Sequence, residues 1–157
     1  SAGILMGRKD LIEAARLNAP PRGGNIGRGM KVNKEEVFGM YAAIDRYINL
    51  DHAKEWKIWE DRIALIESSA KKVAGVKTIV SVPPIANHTP TLNIEWDPAR
   101  IKVTREEFQE RLRKGNPSIE VIAGMGNSIN ITAFMMEPRQ EKIVASRIFE
   151  ELTKASA

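Results

Sequence analysis

Thr91-Leu92-Asn93-Ile94-Glu95-Trp96-Asp97 alternates apolar and polar side chains without a break. A period of two places Leu92, Ile94 and Trp96 on one face of a strand and Thr91, Asn93 and Glu95 on the other, which suits an antiparallel sheet with one covered face. Just upstream, residues 78–82 read as a second strand. Downstream, Thr104 and Glu107 make a capping box for a helix through Phe108 and Leu112, which Gly115-Asn116-Pro117 ends. Residues 119–122 and 129–134 read as two more strands, joined by the Gly124-Met125-Gly126-Asn127-Ser128 turn. Pro138 opens a last helix in which Ile143, Val144, Ile148 and Leu152 share a face. The expectation for residues 75–157 is a small α+β domain, an antiparallel sheet covered by helices.

Before this domain, apolar residues recur at helical spacing. Val37, Met40, Tyr41, Ile44 and Ile48 are followed by Trp56, Trp59, Ile63 and Ile66, continuing toward Val73. Residues 34–74 therefore read as one long connecting helix, bent near Asn49-Leu50-Asp51. Unbroken over some 40 residues it would span about 60 Å, a length that joins two bodies. Trp56 and Trp59 read as core residues at this spacing.

Ahead of the helix lies Arg22-Gly23-Gly24-Asn25-Ile26-Gly27-Arg28-Gly29-Met30-Lys31-Val32-Asn33-Lys34-Glu35-Glu36. Asn33 and Glu36 form a capping-box pattern, so the helix begins at Lys34 with free backbone N–H groups at its start. Those donors and the helix dipole favour a phosphate or carboxylate. Gly23, Gly24, Gly27 and Gly29 allow close backbone approach, while Arg22, Arg28, Lys31 and Lys34 supply positive charge. An anion site and a plain flexible basic loop both fit this stretch, which matches no phosphate-loop spacing.

The chain starts with an apolar run, residues 2–7, that reads as a buried strand with no partner before it. A short helix from Asp10 to Leu17 follows, and Pro20-Pro21 stops it. The implied organisation is an orphan strand, short helix and glycine-arginine loop over 1–33, the connecting helix over 34–74, and the small domain over 75–157.

Composition sets outer limits. With 157 residues, 43% hydrophobic and 28% charged, the chain is long enough for a packed core. The balance of 24 Lys+Arg against 20 Asp+Glu gives +4, spread along the sequence, so a nucleic-acid partner is permitted but not indicated. Having no cysteine, the chain has no disulfide and no thiolate nucleophile, and its two histidines lie far apart, which disfavours a metal centre. No secretion signal or membrane-spanning run is present, and the simplest compartment is the cytoplasm.

Three segments carry a resemblance to a known family. They are Ser1-Ala2-Gly3-Ile4-Leu5-Met6-Gly7-Arg8-Lys9-Asp10-Leu11-Ile12, then Gly27-Arg28-Gly29-Met30-Lys31-Val32-Asn33-Lys34-Glu35-Glu36, then Leu112-Arg113-Lys114-Gly115-Asn116-Pro117-Ser118-Ile119. In this order they resemble the C-terminal part of fold-type I pyridoxal-phosphate enzymes, in the selenocysteine synthase-like group that includes D-glucosaminate-6-phosphate ammonia-lyase. The resemblance implies that residues 1–33 close a large cofactor-binding domain. It also implies a parent that eliminates or replaces a substituent on an amino acid or amino sugar acid, in a homodimer or larger assembly.

In that family the lysine that holds the cofactor precedes the first segment, so the resemblance implies that no catalytic residue lies in this chain. The fragment alone is expected to be inactive, with no covalently held pyridoxal 5'-phosphate. Lys9, Lys31 and Lys34 match turn and loop positions, not the Schiff-base lysine. Arg28 and Lys31 fall where the selenocysteine synthases carry two basic residues that bind a substrate anion; the second is usually arginine there, so Lys31 is a departure. Arg22 and Asn25 are further candidates in the same loop. His88, between two strands, could act as an acid or base near neutral pH or simply be solvated. The implied partners are the remaining N-terminal large domain and a small anionic substrate. The alternative is a small basic module that binds RNA or another polyanion, without enzymatic activity.

Overall fold

The computed structural model describes residues 3–156. The alternation at 91–97 becomes strand β2 (Thr91–Trp96), in which Leu92 and Ile94 are 0% and Trp96 2% exposed. It lies between β1 (Val76–Ser81) and β4 (Ser128–Thr132), and the two-residue strand β3 (Ile122–Ala123) completes an antiparallel sheet of order β1-β2-β4-β3. Register puts Ile94 between Thr78 and Ile129, and Leu92 between Val80 and Ile131. One sheet face is thereby apolar. The other presents Asn93 beside Asn130, whose amides meet at 2.9 Å.

Five helices accompany the sheet: α1 (Lys9–Asn18), α2 (Lys34–Asn49), α3 (His52–Ala70), α4 (Arg105–Arg113) and α5 (Gln140–Ala155). The chain divides into two compact units, Ser1–Asp51 and His52–Ala157. In the second unit α3 and α5 pack side by side, α3 touches β2, and α4 rests on α5. The core gathers Ile63 and Ile66 of α3, Phe108 and Leu112 of α4, and Ile148 and Leu152 of α5 over the buried sheet face. Each such side chain contributes roughly 1.5–3 kcal/mol by leaving water. Trp96 packs against Phe108, ring centroids 5.0 Å apart, and its indole N–H donates to the Val103 carbonyl at 3.0 Å. An α+β class is the observed class.

Local signals explain the element ends. Thr104 Oγ1 accepts from the Glu107 N–H at 3.2 Å, and the Glu107 carboxylate accepts from the Thr104 N–H at 3.1 Å, closing the box that starts α4. Gly75 has φ +94° at the entry to β1, a left-handed value that glycine adopts without strain.

Several expectations are corrected. Of the strand expected over 2–7, Ala2 lies outside the described residues; residues 3–7 form no strand, and Ile4, Leu5 and Met6 are exposed. A strand needs a neighbour for its backbone groups, and none pairs there among the described residues. The helix expected over 34–74 is divided, because Leu50 turns to extended backbone (φ −77°, ψ 137°) and caps α2. No residue of α2 is buried. Trp56 and Trp59 are half-buried outside the core, their rings 5.9 Å apart. Of the face expected in α5, Val144, Ile148 and Leu152 are buried, with Ala145, Glu151 and Ala155 beside them, and only Ile143 departs, at 42% exposed.

Candidate anion-binding loop

The loop ahead of α2 is folded back on α1. Asn25 Nδ2 donates to the Leu17 carbonyl at 3.0 Å, tying the loop to the last turn of the helix. A single 3₁₀ turn, Ile26–Gly29, follows, with the Arg28 N–H on the Asn25 carbonyl at 3.2 Å and the Met30 N–H on the Gly27 carbonyl at 3.0 Å. Gly27 sits so close to the end of α1 that an added Cβ would stand 2.1 Å from the Asn18 carbonyl oxygen. Of the glycines in the expected cradle, Gly27 is required by close approach.

Arg22, Arg28 and Lys31 are exposed. Arg28 lies in the 3₁₀ turn itself, and Lys31 two residues beyond its end. Asn25 is half-buried, and its Oδ1 is shielded from solvent without a hydrogen-bond partner. The structure therefore joins Asn25 and Arg28 in one hydrogen-bonded turn. Asn33 and Glu36 form the capping box, the Asn33 N–H donating to the Glu36 carboxylate at 3.3 Å. Glu35 and Glu36 both occupy the first turn of α2. Their carboxylates already complement the helix dipole.

His88 belongs to the second unit. Its Nδ1 lies 2.9 Å from the Pro83 carbonyl, which can only accept, so in the neutral ring Nδ1 carries the proton and Nε2 is the acceptor. The ring lies 5.9 Å from that of Trp56, and the preceding Ala86 and Asn87 have positive φ values of 49° and 41°. Among the small-domain arginines, Arg147 pairs with Glu151 at 3.3 Å and Arg100 with Asp97 at 3.9 Å. Arg105 donates to the Gly124 carbonyl at 2.8 Å, and Arg113 grips Glu120 through two bonds of 2.7 and 2.8 Å. Hydrogen bonding to Glu120 raises the Arg113 pKa, and the same contact lowers that of Glu120.

Every lysine in the chain is exposed. Among the described residues no three His, Asp or Glu side chains cluster as metal ligands, and no helix is long and apolar enough to cross a membrane. A cleft of about 390 Å³ beside β4, lined in part by Met135 and Met136, was not anticipated from sequence. Its sequence signal, a methionine pair after a strand, is too common to single out.

No family model and no curated protein matches the chain. A solved structure of D-glucosaminate-6-phosphate ammonia-lyase does, with a TM-score of 0.62 at 15% identity, over 95% of this chain and 39% of that one. The likeness is one of fold. This chain spans about two fifths of the length of the protein it matches.

Proposed function

We propose that this chain is the C-terminal segment of a pyridoxal-phosphate-dependent lyase or transferase acting on an amino acid or amino sugar acid. The observation that carries the reading is the likeness in fold of 95% of the chain to a solved D-glucosaminate-6-phosphate ammonia-lyase. The three sequence segments that resemble the same enzyme group support it. In this reading the segment supplies the small domain and a substrate-anion site, while the cofactor and its lysine belong to a large domain upstream.

Within the site, Arg28 is the principal ligand for the substrate's anionic group, its planar fork matching two oxygens, and Lys31 adds a point charge. Asn25 positions the 3₁₀ turn through its bond to Leu17, and its unpartnered Oδ1 accepts a donor from substrate or water. Holding the anionic end in this way restrains the substrate against the reacting centre. The exposed apolar residues of the first unit, Ile4, Leu5, Met6, Phe38 and Tyr41 among them, are the surface that the rest of the parent enzyme covers.

The test is kinetic, in the protein encoded by the reading frame extended upstream. Arg28→Ala is expected to raise KM for an anionic substrate by roughly 10- to 100-fold, as loss of a charge-assisted bond costs about 1.5–3 kcal/mol. An unchanged KM excludes the anion role. If instead the 157-residue chain binds RNA with an affinity that falls steeply with salt, the polyanion-module reading replaces the enzyme one.

A further inference from the structure

Hydrogen-bond direction alternates along an antiparallel strand, and in β4 this alternation leaves one residue open. Its odd-numbered positions face β2: the Trp96 N–H donates to Asn127 at 3.1 Å, and Ile129 and Ile131 stand opposite Ile94 and Leu92. Its even-numbered positions face β3: the Gly124 N–H donates to Ser128 at 3.0 Å, and Asn130 stands opposite Ile122. The next even residue, Thr132, would meet Glu120, but the pairing ends at Ile122. The N–H and C=O of Thr132 thus face the cleft, with no backbone partner among the described residues.

Each wall of that cleft is hydrogen-bonded to its own neighbours. On one side the Ile119 N–H bonds the Leu112 carbonyl at 3.0 Å, Gln109 holds the Val121 carbonyl at 3.1 Å, and Ser118 Oγ donates to Arg113 at 2.6 Å. On the other, Arg62 donates to the carbonyls of Met136 at 2.6 Å and Ala133 at 3.3 Å. Between them lie Ile119, Ile122, Met135, Met136 and Ile143, around about 390 Å³, within the size range of small-ligand sites. The carboxylate of Glu120 on the rim is held by Arg113, so the opening offers no unpaired charge of its own.

We propose that this cleft binds a small, neutral, apolar amide in extended form, the equivalent of one residue of a peptide strand. The ligand's N–H and C=O pair with the C=O and N–H of Thr132, as a strand neighbour would, and its side chain enters the apolar lining. The methionines adapt to side-chain shape, so the site selects the amide edge more sharply than the side chain.

The probe is N-acetyl-L-leucine N-methylamide, titrated into the 157-residue chain and followed by ¹H–¹⁵N NMR. A saturable shift of the Thr132 amide is expected, with a dissociation constant on the order of 1 mM for a ligand of this size. The analogue methylated on the leucine nitrogen, which cannot donate, should bind roughly 10-fold more weakly. Ile143→Glu, at a half-exposed position, should abolish the shift while leaving the spectrum of the core unchanged. No saturable shift at Thr132, equal binding of the methylated analogue, or full binding by the Ile143→Glu chain overturns the proposal.

Discussion

Gly27 packs against the carbonyl of Asn18 so closely that a Cβ in its place would lie 2.1 Å from that oxygen. This contact, with the Asn25 bond to Leu17, determines where Arg28 is presented. Gly27→Ala must push the 3₁₀ turn off the end of α1, a steric cost of about 1–3 kcal/mol. The expected result is faster amide exchange over residues 25–30, with exchange in β2 and β4 unchanged. Equal protection in the variant would show that the turn does not depend on this approach.

The Glu67 carboxylate accepts from Lys71 at 2.7 Å and from Thr78 at 2.8 Å, and these bonds, Lys71 first, lower its pKa. A carboxylate whose folded pKa is depressed stabilises the fold above its unfolded value, near 4.3, and loses that contribution as pH falls through the folded value. The difference in stability between the chain and Glu67→Gln should therefore be full at pH 7 and shrink below about pH 4.3. Urea denaturation at several pH values measures it; a difference that grows toward acid would contradict the assignment.

Trp96 joins the sheet to the segment before α4, because its indole N–H satisfies the Val103 carbonyl at 3.0 Å. Trp96→Phe keeps an aromatic ring beside Phe108 but leaves that carbonyl unpaired, at an expected cost of about 1–3 kcal/mol. Ile94→Ala, which empties a site 0% exposed, should cost about 2–5 kcal/mol. Denaturant midpoints distinguish the two.

Thr104 caps α4 through its hydroxyl. Thr104→Ala removes the acceptor for the Glu107 N–H and should lower stability by about 1 kcal/mol, whereas Thr104→Ser should be near neutral. Thermal denaturation of both variants checks the pair.

The second unit was legible because its signals are local and mutually consistent: the alternation of Leu92, Ile94 and Trp96, the Thr104–Glu107 box, and the turn before Ser128. The capping box at Asn33 and Glu36 placed the start of α2 for the same reason. What sequence did not show depends on neighbours. An apolar run at Ile4 to Met6 looks like a strand, yet its backbone has no ladder to join among the described residues. Trp56 and Trp59 have core-like spacing, but both stay half-buried, the Trp56 ring lying 5.9 Å from those of Trp59 and His88. Likewise the Asn25 bond to Leu17 and the opening at Thr132 follow from how segments meet, which residue spacing does not encode.

The most direct test of the enzyme-segment reading is to extend the reading frame upstream, purify the longer protein and record its visible absorption with pyridoxal 5'-phosphate. The account predicts a cofactor band that borohydride discharges, with the label recovered on a lysine upstream of Ser1 and none on Lys9, Lys31 or Lys34. A longer protein with no such band, or a label fixed on a lysine of this chain, would contradict it.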